Sequence, residues 1–397
     1  MIPDLQPFVS VLTQAVSRQG AESDWIRWVT NQVDEIQIRQ AIIESARLQS
    51  KAVRQFGPGI WWCSERALMQ STHYRVAELK ATWMGDTVVY DLCSGLGGDA
   101  MAVARRCTEL ILVDRDPFMV AMAMANCDAA TDRDVVVQVS CDDVESVNIP
   151  ADAMVHLDPD RRATGSTGSR TSRPEFYSPN WQTAERLIAS VRGGLVKVAP
   201  AATLPIDPSR RHVWISHGGS VREQTIVFGE AIASCEQSLG CQLSVDHKAA
   251  FVVGKDAVAT FTGAPGLSCR VSEQPQTWMV DPDPAIRAAG LTAAYAERFQ
   301  LESLGGPAGF LTGGSFTTSD LAIAEPVLWS GSFDDRKLRR AMREHNVYPK
   351  RVKTRGVTAD PNQLEKRYRK CGEAPVTLWI GKTGRRHYAA ISQTQSL

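Results

Sequence analysis

The period of the apolar positions changes along this chain, and the changes mark out its parts. Near the N-terminus Trp25, Ile26, Val29, Val33 and Ile36 recur at helical spacing, and a second helical stretch, Glu65 to Trp83, follows the break Gly57-Pro58-Gly59. Residues 1–85 are therefore predicted to be a helical region. From 86 to about 270 short β-branched runs alternate with helical segments. VVYDLC from Val88, ELILVD from Glu109, DVVVQVSC from Asp134, AMVHLDP from Ala153 and GGLVKVAP from Gly193 read as strands. Between the second and third lies a helix with Asp116 at its N-cap and Pro117 in its first turn. Strands apolar on both faces and separated by crossover helices predict an α/β fold with a parallel, doubly wound sheet.

A third region, 271–397, opens on the Pro- and Gly-rich stretch between Gly263 and Pro284. Its pattern predicts a helix around Ala285 to Leu301 and a glycine-rich loop, GGPAGFLTGG. Then EPVLWS reads as a strand, DDRKLRRAMREH as a helix and KRVKT as a strand. DPNQLEKRYRKCG is a helix with Asp360 as cap, Pro361 at its first position and Gly372 as terminator, and VTLWIG and RHYAAIS are strands. The result is a small β-α-β-α-β-β unit.

Charge changes the picture of this last region. The whole chain, 397 residues with 44 Lys+Arg and 44 Asp+Glu, is neutral. From Gly331 to Leu397, however, 16 Lys+Arg face 6 Asp+Glu, a balance of +10, which leaves −10 on the rest. An acidic body joined to a basic segment is either a solvated charged face on an ordinary domain or, since the excess extends over several predicted elements, a surface for an anionic partner. The nine cysteines include no C-x-x-C pair and are odd in number, which fits reduced thiols in a cytoplasmic protein. Asp4 sits where a signal peptide carries cations, and no apolar run reaches membrane-spanning length, so neither export nor a membrane partner is expected. The seven histidines show no metal-ligand spacing, and no metal is expected.

Candidate chemistry gathers where the predicted strands end. Asp91-Leu-Cys-Ser-Gly95-Leu-Gly97-Gly98-Asp99 spans the first strand-to-helix turn, where glycines let the backbone approach a ligand. The run is G-x-G-G rather than G-x-G-x-x-G. The acid ahead of it repels a pyrophosphate and suits an ammonium or sulfonium, which favours S-adenosylmethionine over a nicotinamide dinucleotide. Asp114 ends the second strand, where a carboxylate can accept both ribose hydroxyls; Asp142 follows the third, and Asp158-Pro159-Asp160-Arg161-Arg162 the fourth. Asp99 and Asp143 read more simply as caps of the helices they precede. No cysteine lies between Cys141 and Cys235 to serve as the nucleophile of pyrimidine C5 methylation. Arg161, Arg162, Arg170 and Arg173 either clamp a phosphate or pair with Asp160 and Glu175.

On DLCSGLGGDA, VDRDP, HLDPDRR, the segment from Lys51 through Gln70 and Ser71, and KTRGVTADPNQLEKRYRKCG, the chain resembles class I S-adenosylmethionine-dependent methyltransferases. The resemblance is to a bacterial group with a helical N-terminal extension and a C-terminal THUMP-like domain. It implies a Rossmann-like methyltransferase sheet over 86–270. Asp91, Cys93, Gly95 and Gly97 would then lie at the methionine end of the cofactor, Asp114 at the ribose and Asp142 at the adenine. Asp158, Pro159 and Arg161 would be the catalytic candidates on the acceptor side. Amine-methylating relatives carry D/N-P-P-aromatic, so Asp160 and Arg161 depart from the pattern, and stacking falls to Trp61, Trp62, Phe176, Tyr177 or Trp181. The function implied is methylation of a nucleobase in tRNA or rRNA. Two other readings remain open: a small-molecule or protein methyltransferase with the basic segment as an interface, and a non-catalytic RNA-binding protein with a vestigial cofactor site.

Overall fold

The computed structural model describes residues 1–18, 20–131, 133–162, 171–306, 308–317 and 319–394. Arg170 lies outside them. The chain forms two compact units, Met1–His212 with Glu223–Gln242, and Val213–Arg222 with Leu243–Leu397.

The first unit begins with helices α1 (Val9–Ser17), α2 (Glu22–Gln32) and α3 (Ile36–Phe56). α3 buries Ile38, Ala41, Ile42, Ser45, Leu48, Gln49 and Ala52, one face at helical spacing, and stops at Gly57, whose φ of 90° lies outside the helical region. The single helix expected from Glu65 to Trp83 is instead two, α4 (Glu65–Leu68) and α5 (Tyr74–Ala81). The His73 side chain accepts the Arg75 N–H and so starts α5 afresh, leaving Gln70, Ser71 and Thr72 in the gap between the helices.

Strands β1 (Val88–Leu92), β2 (Glu109–Val113), β3 (Val136–Ser140), β4 (Met154–Leu157) and β5 (Gly193–Val198) follow the expected positions. Helices α6 (Ala100–Ala104) and α7 (Pro117–Ala130) connect the first three strands, and α8 (Trp181–Ser190) precedes β5. Asp116 caps α7, accepting the N–H groups of Phe118 and Met119. β6 (Arg210–His217) leaves this unit, β7 (Ser220–Gly229) returns to it, and α9 (Ala231–Leu239) follows. The strands of the unit run β3-β2-β1-β4-β5-β7; the first five are parallel, and β7 is antiparallel to β5. Leu92, Val113, Val155, Leu157, Val196 and Ile226 make the core of this sheet, as its continuous apolar runs require.

The second unit contains β8 (Lys248–Val253), β9 (Val258–Gly263) and β10 (Trp278–Pro282). It thus starts ahead of the boundary near 270 drawn from sequence, because Ala250 and Phe261 share a core with Ile286, Leu291 and Tyr295. The helix expected over 285–301 is broken at Gly290 (φ 74°) into α10 (Pro284–Ala288) and α11 (Thr292–Arg298). β11 (Glu302–Leu304) comes next, and part of the expected glycine-rich loop is a strand, β12 (Phe310–Gly313). Then β13 (Ala322–Ser332), α12 (Asp335–Glu344), β14 (Val347–Thr354), α13 (Pro361–Tyr368), β15 (Ala374–Thr383) and β16 (Arg386–Gln393) reproduce the expected β-α-β-α-β-β order. Seven strands pair as β11-β12-β10-β13-β16-β15-β14. The basic segment is therefore not a module of its own, since β13 bonds β10 on one side and β16 on the other. Trp379, fully buried, donates its indole N–H to Ser392 Oγ at 2.7 Å and meets Phe310 edge-on with centroids 4.9 Å apart.

Among the described residues no helix is long and apolar enough to cross a membrane.

Gly194 tests the β4–β5 pairing. A Cβ there would lie 1.9 Å from the Val155 carbonyl oxygen. Gly194→Ala is expected to destabilise the protein by about 3 kcal/mol or to prevent folding, read by urea unfolding. Stability equal to the parent would contradict this packing.

Candidate functional site

The carboxyl ends of β1, β2, β3 and β4 border a cleft of about 640 Å³. Its floor is the turn after β1. Cys93 (φ 60°), Gly95 (φ 54°) and Gly97 (φ 77°) all sit in the left-handed region, so the chain doubles back within a few residues. Gly95 N–H donates to Asp114 Oδ2 at 3.0 Å, and Asp116 N–H donates to Asp114 Oδ1 at 3.0 Å. A side chain at Gly97 would press on the Ala123 backbone at 3.3 Å, and one at Gly98 on Thr72 N at 3.2 Å. α6, with five residues, is too short to present a helix terminus as an anion site; what the turn offers is backbone surface and polar groups. The Ser94 hydroxyl lines the cleft and, though buried, has no hydrogen-bond partner among the described residues.

Beneath this turn lies a buried ion network. Lys80 of α5, 2% exposed, places Nζ 2.9 Å from Asp99 Oδ1 and 2.8 Å from Glu223 Oε1 of β7. Thr72 Oγ1 donates to Asp99 Oδ2 at 2.6 Å and accepts from Lys197 Nζ of β5 at 2.9 Å. Lys197 also donates to Asp158 Oδ2 at 2.6 Å. His156, in register with Asp91 on the neighbouring strand, donates from Nδ1 to Asp91 Oδ1 at 2.6 Å, and its Nε2 lies 3.7 Å from Asp99. Asp91, Asp99, His156 and Asp158 line the cleft. Asp99 is thus not the helix cap expected from sequence: its side chain makes no capping bond and faces Lys80 instead. Asp143 does cap, accepting the Glu145 N–H.

These surroundings shift protonation in opposite senses. Burial pushes the Asp91 carboxyl up, against the pull of His156. Burial pushes Asp99 up as well, yet Lys80, His156, Lys197 and the Thr72 hydroxyl together outweigh it and hold that carboxyl well below the usual range. Lys80 is driven the other way: burial opposes its charge, but Asp99 and Glu223 raise its pKa. His156 is raised as well, with burial overcome by Asp99 and Asp91. Burial pushes the Asp114 carboxyl up, moderated by the two backbone N–H groups it accepts.

The remaining expected site residues divide between cleft and elsewhere. Pro159 and Arg161 line the cleft, as does Asp142, an exposed rim residue that accepts the Ser140 hydroxyl. Asp160 pairs with Ser178 through two backbone bonds of 2.9 Å, which ties the segment after β4 to the Tyr177–Pro179 loop. Cys93, expected at the methionine end of the cofactor, lines the cleft. Burial, then Asp114, Asp158 and Asp91, push its thiol well up, so it is a poor nucleophile. Trp61, Trp62 and Tyr177 are core residues, and the Tyr177 hydroxyl accepts the Ala199 N–H; Phe176 is exposed, with the Arg173 guanidinium 4.6 Å from its ring centroid. Arg173 pairs with Glu175 at 2.8 Å, the pairing alternative to a phosphate clamp. Among the described residues no cluster of three or more His, Cys, Asp or Glu is arranged to hold a metal.

No family model matches the chain. Two proteins described as uncharacterized S-adenosylmethionine-dependent methyltransferases, from Mycobacterium tuberculosis strains CDC 1551 and H37Rv, are each 26% identical over 358 residues, covering 86% of this chain and 92% of theirs. A crystal structure of a candidate methyltransferase from Porphyromonas gingivalis W83 superposes with a TM-score of 0.78 at 16% identity, covering all of both chains. The chain shares the fold of that structure. In this fold the turn after β1 and the acid after β2 frame the cleft, and Lys80, Thr72, His156, Lys197 and Glu223 are the residues that sequence reasoning missed. The signal for two of them was present: His156 and Lys197 are polar interruptions of apolar strands, and a charge inside a buried strand is sustained only by a partner.

Lys80→Met takes from the buried Asp99 and Glu223 carboxylates the cation they share and is expected to cost about 3–5 kcal/mol at pH 7 in urea unfolding. His156 gives a pH test. Because its folded pKa is raised above about 6.5, its contribution is full below that pH and is lost as pH rises through the folded value. The stability gap between the parent and His156→Gln is therefore expected to be larger at pH 6 than at pH 8.5. A gap that grows with pH would contradict the arrangement.

Proposed function

We propose that this protein is a class I S-adenosylmethionine-dependent methyltransferase that methylates a nucleobase in structured RNA, tRNA or rRNA. The observation that carries the cofactor reading is the pairing of a glycine turn with two flanking acids. Asp91 faces the cleft from inside β1, where a pyrophosphate would be repelled, and Asp114 is fixed at the end of β2 by the turn's own N–H. The residues fit the cofactor: Asp91 and the Ser94–Gly97 turn suit its amino-acid end, Asp114 its ribose diol, and Asp142 on the rim its adenine amine. The names of the two mycobacterial relatives support the same cofactor. Bound there, S-adenosylmethionine supplies an electrophilic methyl group on a cationic sulfur.

The chain's own contribution is positioning. Lys197 fixes one oxygen of Asp158, leaving the other to accept an N–H of the methyl acceptor and aim its lone pair. The Pro159 carbonyl offers a second acceptor, and Arg161 on the cleft wall a donor for a phosphate. The RNA reading rests on α12 and α13, in what we take as a THUMP-like domain. Arg336, Lys337, Arg340 and Arg343 of α12 and Lys366, Arg367 and Arg369 at the end of α13 are exposed. The two helices meet where Tyr368 donates to Asp335 at 2.8 Å and Arg367 reaches the same carboxylate at 3.5 Å, and a basic face over both is what the RNA reading requires. The cysteines, all free, fit a cytoplasmic setting.

Incubation with labelled S-adenosylmethionine and total RNA from cells lacking the protein, followed by nucleoside mass spectrometry, is expected to show one newly methylated nucleoside. Asp158→Ala is expected to lose about 100-fold or more of that transfer. Label in protein or metabolites alone would overturn the RNA assignment. Changing Arg336, Lys337, Arg340 and Arg343 together to Gln is expected to flatten the salt dependence of RNA binding by about 2–4 units of slope. This is a cleaner test than truncation near residue 331, which cuts inside β13.

A further inference from the structure

The charges beneath the cleft do not balance. Lys80 and Lys197 face Asp99, Asp158 and Glu223, while Asp91 is offset only when His156 carries a second proton. The set therefore holds one surplus negative charge with His156 protonated, and two with it neutral. Water does little to screen it: every member but Asp158 is at least nine-tenths buried. The arginines that line the same cleft, Arg66, Arg115 and Arg161, are solvent-accessible at its wall and rim, where screening is strong. Buried ion sets that only hold a fold together are ordinarily neutralised within themselves. This one is not, and its uncompensated side opens on the cleft through Asp91, Asp99 and Asp158.

We infer that this buried surplus makes the site select its ligand by charge, holding the sulfonium form of the cofactor more tightly than the neutral thioether product. Lys80, Lys197 and Glu223, which stand behind the cleft wall, set how strong that preference is. The inference rests on the cofactor reading proposed above. In the transfer the acceptor's lone pair forms the bond to the methyl carbon as the S–C bond breaks, its electron pair stays on sulfur, and the acceptor nitrogen gives up its proton to water at the open side of the cleft. Sulfur thereby loses its positive charge, and the surplus under the cleft is left uncompensated. Product release is then favoured by the same residues that hold the cofactor, without any movement of the chain. The two cations and Glu223 are positioning residues in this scheme, since they act through charge and not by contact.

Calorimetric Kd values for S-adenosylmethionine and S-adenosylhomocysteine on the full chain test this without knowledge of the acceptor. The parent is expected to bind the sulfonium several-fold more tightly. Glu223→Gln removes a negative charge with little change of shape, and is expected to shrink that preference about three- to tenfold. Lys197→Met removes a positive charge and is expected to enlarge it by a similar factor. Asp99→Asn, of the same sign as Glu223→Gln, serves if that variant fails to fold. A merely structural network would weaken both ligands together in every variant, and equal preference in parent and variants would overturn the inference while leaving the cofactor reading intact. Failure of the parent to bind either ligand would overturn both.

Discussion

The ammonium group of Lys80, held between Asp99 and Glu223 with almost no solvent contact, is the interaction on which the site depends. A lysine is driven out of water only where carboxylates take over from its hydration shell, and here they come from different parts of the chain. Asp99 belongs to the turn after β1, Glu223 to β7, and Lys80 itself to α5 of the helical N-terminal part. One cation thus fixes the height of the glycine turn over the sheet and the placement of α5. Thr72 and Lys197 extend the arrangement to Asp158, and His156 extends it to Asp91. The acid proposed for the cofactor and the acid proposed for the acceptor are ends of one bonded set.

That connection explains why the N-terminal helices belong to the first unit and are not an appendage. The gap between α4 and α5 brings Gln70, Ser71 and Thr72 to the cleft wall, and Gln55 of α3 holds the Ser71 carbonyl at 2.6 Å. It also gives a physical meaning to the acidic body noted in the sequence. Part of the charge of residues 1–330 lies beneath the cleft, where it is suited to a cationic cofactor and unsuited to a dinucleotide phosphate. The basic excess lies in the other unit, on helices whose cations face solvent.

Much of the sheet was legible because its strands are buried on both faces and so spell continuous β-branched runs, with Asp116-Pro117 marking α7. The break at His73 was not, since it depends on a side-chain cap that leaves the helical period of Val76 and Ala77 intact. β6 and β7 were missed as a hairpin, and β12 was masked by glycines that serve close approach: a Cβ at Gly309 would lie 1.9 Å from the Leu304 carbonyl oxygen. For the site, sequence could point to acids at strand ends, because their spacing along the chain follows the sheet. It could not point to Lys80 meeting Glu223, a pairing set by tertiary packing between distant segments, nor show that Asp99 faces inward and Asp143 outward.

The central claim is that the turn after β1 and the acids around it form the binding site of S-adenosylmethionine. A crystal structure of the protein with S-adenosylhomocysteine tests it most directly. The amino-acid end of the ligand is expected beside Asp91 and the Ser94–Gly97 turn, with both ribose hydroxyls on Asp114. Ligand bound away from this cleft, or lying in it with the ribose remote from Asp114, would contradict the account.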